Sequence, residues 1–176
     1  MTDLDANTWE SAASIVFAYD RDTSYNVKSL ARFDRKLRRQ NELLKVLRQD
    51  YSAATDTQRE QLHELIGDSK FWLLGAYEIV RTLDQRYRER LGLNRTEKTP
   101  LTELKHKLER LRIPLAKQEP SRRNSETDYR YLHATLSNAG VGWKPSQDSN
   151  FLFSELSDEL RLSLCSLPRQ ESLGAN

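Results

Sequence analysis

Residues 71–80, Phe-Trp-Leu-Leu-Gly-Ala-Tyr-Glu-Ile-Val, are apolar at nearly every position and run straight into the charged stretch Arg81 to Arg90. A helix that is hydrophobic all round has to be surrounded by protein, and its charged continuation has to emerge into water. This segment therefore predicts a central buried helix over about residues 70–91, closed by Gly92. Other helices must cover it, so the expected fold is all-α, a helical bundle of roughly four to six helices. Six glycines and five prolines in 176 residues supply too few turns for an all-β chain. A content of 31% charged and 37% hydrophobic residues suits long amphipathic helices.

Two leucine seams are available to cover the central helix. Residues 26–51 carry Leu30, Phe33, Leu37, Gln40, Leu44, Leu47 and Tyr51 at alternating spacings of three and four, the seam of a helical hairpin or coiled coil. Gln40 is the polar residue in that seam. Leu101, Leu104, Leu108, Leu111 and Leu115 repeat in the same way after Thr99-Pro100, a favourable helix start, and Pro114 should end or kink that helix. A shorter helix is expected over 57–66, capped by Thr57 with Glu60 and stopped at Gly67-Asp68-Ser69. The alternative is one long helix kinked at Gly67. Residues 8–20 read as a helix with Trp9, Ala12, Ala13, Val16 and Tyr19 on one face, the alternative being a short buried strand over Ile15 to Tyr19.

The C-terminal third reads differently. Residues 116–128 have the composition of a linker. Tyr129 to Leu136 fits a turn of helix or an extended segment. Gly140–Trp143 and Asn150–Phe153, joined by turn-forming residues, predict a small β-hairpin near 140–153. Ser154 then opens a last helix with Leu156, Leu160 and Leu164 on one face. Residues 1–168 are expected to form a single α-helical domain, with 169–176 a disordered tail.

Charge is distributed unevenly. Residues 1–23 carry five acidic side chains against Arg21 alone, whereas residues 28–48 carry eight basic against two acidic. Lys28, Arg32, Arg35 and Arg39 advance by four, three and four, so they form one stripe along a helix, and Arg38 flanks it. Such a stripe either tracks phosphates or is neutralised by the acidic N-terminal segment. Glu78 and Arg81, three apart, are expected as a buried polar pair within the central helix. A polar pocket centred on them beside Tyr77, in a small-molecule enzyme, is the weaker alternative.

Other chemistry finds little support. Cys165 is the lone cysteine, which fits a reducing compartment and no disulfide framework. Glu60–His63 and Glu103–His106 have di-iron spacing, but such a centre needs two further inward glutamates, and His106 lies between Lys105 and Lys107 on a face expected to be solvated. No phosphate-binding loop, dinucleotide fingerprint or serine elbow occurs. The HEPN ribonucleases are small helical proteins whose catalytic motif places a histidine after an arginine with about four to six residues between them. Arg59 and His63 have three intervening residues, Arg130 and His133 two, and neither fits that motif. No metal or other cofactor is expected, and no membrane association, because no apolar run approaches the length of a span. The leading expectation is a non-catalytic protein-interaction or regulatory module of the cytoplasm, with a protein partner or self-association. The alternative is a nucleic-acid-binding or HEPN-like helical protein using the basic stripe on helix 26–51.

Overall fold

The computed structural model describes residues 3–44, 52, 54–94 and 96–168, with side chains from Thr8 onward. The protein is mostly helical. Five α-helices, α1 (Asp3–Phe17), α2 (Arg21–Leu43), α3 (Asp56–Leu91), α4 (Thr102–Lys117) and α5 (Phe153–Cys165), accompany a sheet of three strands, β1 (His133–Ser137), β2 (Gly140–Ser146) and β3 (Ser149–Leu152). The all-α expectation is corrected by that sheet. It is antiparallel in the order β1-β2-β3. The predicted hairpin is β2–β3, with Trp143 opposite Phe151 and Gly142 opposite Leu152. β1 adds to the other edge of β2, with Leu136 opposite Val141.

α3 is one continuous helix of 36 residues, about 54 Å long. The expected break at Gly67-Asp68-Ser69 does not occur. The Ser69 hydroxyl donates back to the Ile66 carbonyl instead of capping a new helix, and Leu62, Leu65, Ser69, Trp72, Leu73 and Ala76 keep one buried face running through the segment. The cap lies two residues before the expected one. Thr55 accepts from the Gln58 N–H, and the Gln58 side chain accepts from the Thr55 N–H. Gly92 closes the helix at φ 63°, as its position predicts.

α2 and α4 both pack against α3. Lys36 meets Asp68, Leu30 lies against Gly75, and Thr23 shares a groove with Thr82, so α2 runs antiparallel to α3. α4 also runs antiparallel, with Asp84 bonded to Lys105 and Arg112 over the Tyr77 ring. α5 closes the core through Phe153, whose ring meets Trp72 edge-on at 5.0 Å, and through Leu156, Leu160 and Leu164. Each fully buried leucine of this kind contributes about 1.5–3 kcal/mol.

One strip of α3 stays uncovered, so the helix is not apolar-buried on all sides. Phe71 is 68% exposed and Glu78 is exposed two turns later, with Gly75 between them half-buried against Leu30 of α2. The predicted end of α4 also shifts. Pro114 sits inside the last turn, and the Gln118 N–H closes that turn on the Pro114 carbonyl. The expected linker is held down: Ser121 is buried, and Arg110 grips Asp128 through two bonds of 2.6 and 2.7 Å. Residues 45–51 of the predicted α2 seam, with Leu47 and Tyr51, and the predicted tail 169–176 lie outside the described residues.

Candidate nucleic-acid interface

α2 carries charge on two faces, and the structure treats them oppositely. On the inner face Asp34 is fully buried beside Leu30, Leu37 and Val27. Arg38, one turn later, donates to it through Nε at 2.9 Å. The Arg38 Nη2 continues to Ser157 Oγ at 2.6 Å, Asp158 Oδ1 at 2.8 Å and the Ser154 carbonyl. Ser157 in turn donates to Asp34, and the Trp9 indole adds a further hydrogen bond. This network ties α2 to α5 and α1. Burial pushes the Asp34 carboxyl above its ordinary range, more than Ser157 and Arg38 pull it down. Arg38 is therefore removed from the predicted basic stripe. It lies toward the Asp34 side of the helix, and its guanidinium is already committed.

The outer face is the predicted stripe proper. Lys28, Arg32 and Arg39 are exposed and Arg35 is half-exposed. Among the described residues, Arg32, Arg35 and Arg39 have no carboxylate partner. Of the acidic residues in 1–23, Glu10 lines the same cleft as Lys28, Arg32 and Arg35 without an ion pair to them among the described residues. Asp20 caps α2, accepting from the Thr23 N–H at 2.8 Å, and spends its other oxygen on Arg86 at 3.2 Å. The side chains of Asp3 and Asp5 are outside the described set.

Two depressions meet along this stripe. A cleft of about 520 Å³ between α1 and α2 is lined by Trp9, Glu10, Phe17, Lys28, Arg32 and Arg35. A wider groove of about 1180 Å³ toward the sheet includes Arg35, Arg39, Asn41 and Ala139. Arg35 borders both, so the basic surface is continuous. Arg21 extends it at the N-terminal end, where Arg21 and Lys28 flank the Tyr25 ring at 6.0 and 5.6 Å. Arg21, Tyr25 and Phe17 were not among the sequence-predicted residues. Arg21 continues the stripe's helical period, whereas nothing in the local pattern marks Phe17 as exposed.

The predicted pair on α3 forms but is not buried. Arg81 Nε donates to Glu78 Oε2 at 2.9 Å, with side chains 47% and 50% exposed. Glu78 lines the open groove between α2 and α3. The buried carboxylate of α3 is Asp84, one and a half turns further on. Lys105, Thr99 and Arg88 all donate to it. Burial alone would raise its carboxyl, but these three bonds outweigh it and hold the group below its usual range. Sequence reasoning missed this cluster, although Asp84 and Arg88 stand four apart.

Asp84 and Lys105 border a broad groove of about 1460 Å³ with His106, Arg122 and Arg123. Burial and the nearby Arg123 keep the His106 imidazole below its ordinary value, despite Glu109. Arg88 also donates to the Asn94 and Glu97 carbonyls, so its role there is to fix the α3–α4 loop. Among the described residues no group of His, Cys, Asp and Glu converges to hold a metal ion. Cys165 is half-buried, its Sγ donates to the Thr8 carbonyl, and burial raises its thiol pKa, which disfavours a thiolate nucleophile. No described helix is long and apolar enough to cross a membrane. No protein-family model, curated protein or solved structure matches the chain.

Proposed function

We propose that this protein is a non-catalytic binding module that holds the phosphate backbone of a nucleic acid against the outer face of α2. The observation that carries this reading is the alignment of Arg32, Arg35 and Arg39 on one face with no carboxylate partner among the described residues. Structural arginines in this molecule behave differently, as Arg38, Arg88 and Arg110 each satisfy several acceptors. From Arg21 to Arg39 the basic face runs about 27 Å, long enough to follow several phosphates of one strand. In this reading the helices around α3 act as a bundle that presents α2 rigidly, in the reducing cytoplasm that a lone cysteine suits.

Binding of a labelled oligonucleotide, measured by anisotropy from about 50 to 200 mM salt, tests the proposal. Affinity should fall steeply with salt, by a logarithmic slope of about 0.9 for each phosphate held in a duplex. The triple substitution Arg32→Glu, Arg35→Glu, Arg39→Glu should abolish binding without altering the helical circular dichroism. Absence of binding at the lowest salt ends the proposal.

A second reading has its own observation. Phe71 projects at the rim of an α2–α3 groove of about 410 Å³ that also contains Leu30, Phe33 and Ile79. This is the surface for a protein partner or for self-association. Light scattering of the wild type and of Phe71→Glu addresses it, and a monomer in both cases removes the self-association form.

A further inference from the structure

The phosphate reading leaves open what form of nucleic acid the stripe receives. Two aromatic rings stand within it. Phe17 is 53% exposed at the end of α1 and lines the α1–α2 cleft together with Lys28, Arg32 and Arg35. Tyr25 is 50% exposed on α2, and its ring is flanked by Arg21 and Lys28. A lone exposed aromatic side chain is ordinary. Two of them interleaved with aligned cations make the combination that single strands use, with cations tracking the backbone and rings stacking bases.

The cleft itself discriminates between the parts of a nucleotide. Its volume of about 520 Å³ is that of a small-molecule site. Its cations lie on the α2 wall, while Glu10 on the α1 wall has no hydrogen-bond partner among the described residues. A phosphate placed against the α1 wall would meet that exposed carboxylate and be repelled. A base would not, because the amino groups of adenine, cytosine and guanine are donors that a carboxylate accepts. Bases inside a duplex are stacked and paired and cannot enter.

We infer that the α1–α2 cleft takes an unpaired base of a single-stranded nucleic acid, stacked on Phe17, while Lys28, Arg32 and Arg35 hold the flanking phosphates and Tyr25 stacks a neighbouring base. The inference rests on the phosphate-backbone reading of α2. The shared chemistry, an exposed base on a polyanionic strand, is common to RNA and DNA.

The test compares labelled RNA and DNA single strands of about 12 nucleotides with duplexes of the same sequences. Single strands should bind at least roughly 10-fold more tightly. Phe17→Ala with Tyr25→Ala should cost roughly 10-fold to 100-fold in single-strand affinity and leave the salt slope unchanged, because no phosphate contact is removed. Glu10→Gln should narrow the preference for amino-bearing bases over uracil and thymine. A gap between the RNA and DNA arms identifies which strand is the better ligand. Equal affinity for duplex and single strand, or an unchanged affinity in the aromatic double variant, overturns the inference and leaves the phosphate-backbone reading standing. No binding of any oligonucleotide overturns both.

Discussion

Asp34 and Asp84 are both almost closed to water on neighbouring helices, yet their carboxyls are displaced in opposite directions. Burial opposes ionisation in both. Asp84 receives two cations, Lys105 and Arg88, as well as the Thr99 hydroxyl, and these outweigh desolvation. Asp34 receives one cation, Arg38, which it shares with Asp158. Loss of solvent contact alone does not set the ionisation of a buried aspartate here. The density of protein around it, greater at Asp34, and the number of cations aimed at it both count. Asp84 behaves as a permanent charge anchoring α4 and the α3–α4 loop, whereas Asp34 sits closer to taking up a proton.

The strongest way to break this comparison is Asp84→Ala. It leaves Lys105 and Arg88 facing each other without a counter-charge and should cost about 3–5 kcal/mol in chemical denaturation. Arg38→Met should cost less, about 2–3 kcal/mol near neutral pH, because Asp34 can become neutral when its partner is gone. Its penalty should shrink on acidification, when protonating Asp34 costs little, and a penalty that stays constant with pH would contradict the assignment.

The pH dependence then sharpens the contrast. Asp84, with a lowered folded value, contributes stability that is present above the ordinary 3.8 and lost as pH falls through the folded value. Asp34, with a raised one, contributes stability that is present below 3.8 and lost as pH rises through the folded value. Relative to wild type, Asp84→Asn should therefore be penalised more as pH increases, and Asp34→Asn more as pH decreases, in denaturation series from about pH 3 to 6. Parallel slopes would show that the two sites do not differ. The smallest effect belongs to the exposed pair. Glu78→Gln should change stability by less than about 1 kcal/mol, and less still in high salt.

Periodicity made several elements legible. Leu104, Leu108 and Leu111 on α4, and Leu156, Leu160 and Leu164 on α5, are buried as their spacing requires. The Gly92 stop and the β2–β3 hairpin were readable from turn chemistry. Four features were not. Gly67 costs roughly 1 kcal/mol in a helix, but continuous burial from Leu62 to Leu73 outweighs that local preference. β1 shows no clean alternation because it is an edge strand exposed along much of its length. The buried polar pair was assigned to Glu78 and Arg81 because their neighbours are apolar, but burial depends on which side of α3 the other helices occupy. The stripe on α2 could be traced from spacing alone. Arg38 could not be separated from it, because Ser154, Ser157 and Asp158, which bind it beside Asp34, lie 116 to 120 residues away in sequence.

Gly140 has a consequence for the order in which the chain assembles. At φ 125° it lets the turn before β2 approach α2 so closely that an added Cβ would lie 2.7 Å from the Asn41 amide nitrogen. Asn41 then accepts from the Val141 N–H across 100 residues, much as Ser157 reaches Asp34 across 123. The inner face of α2 is thus completed only by segments made long after it, and contacts of such sequence separation close slowly. During synthesis α2 emerges before Ser157 and the Val141 N–H exist, so these two bonds to its inner face form only once residues 140–158 have followed.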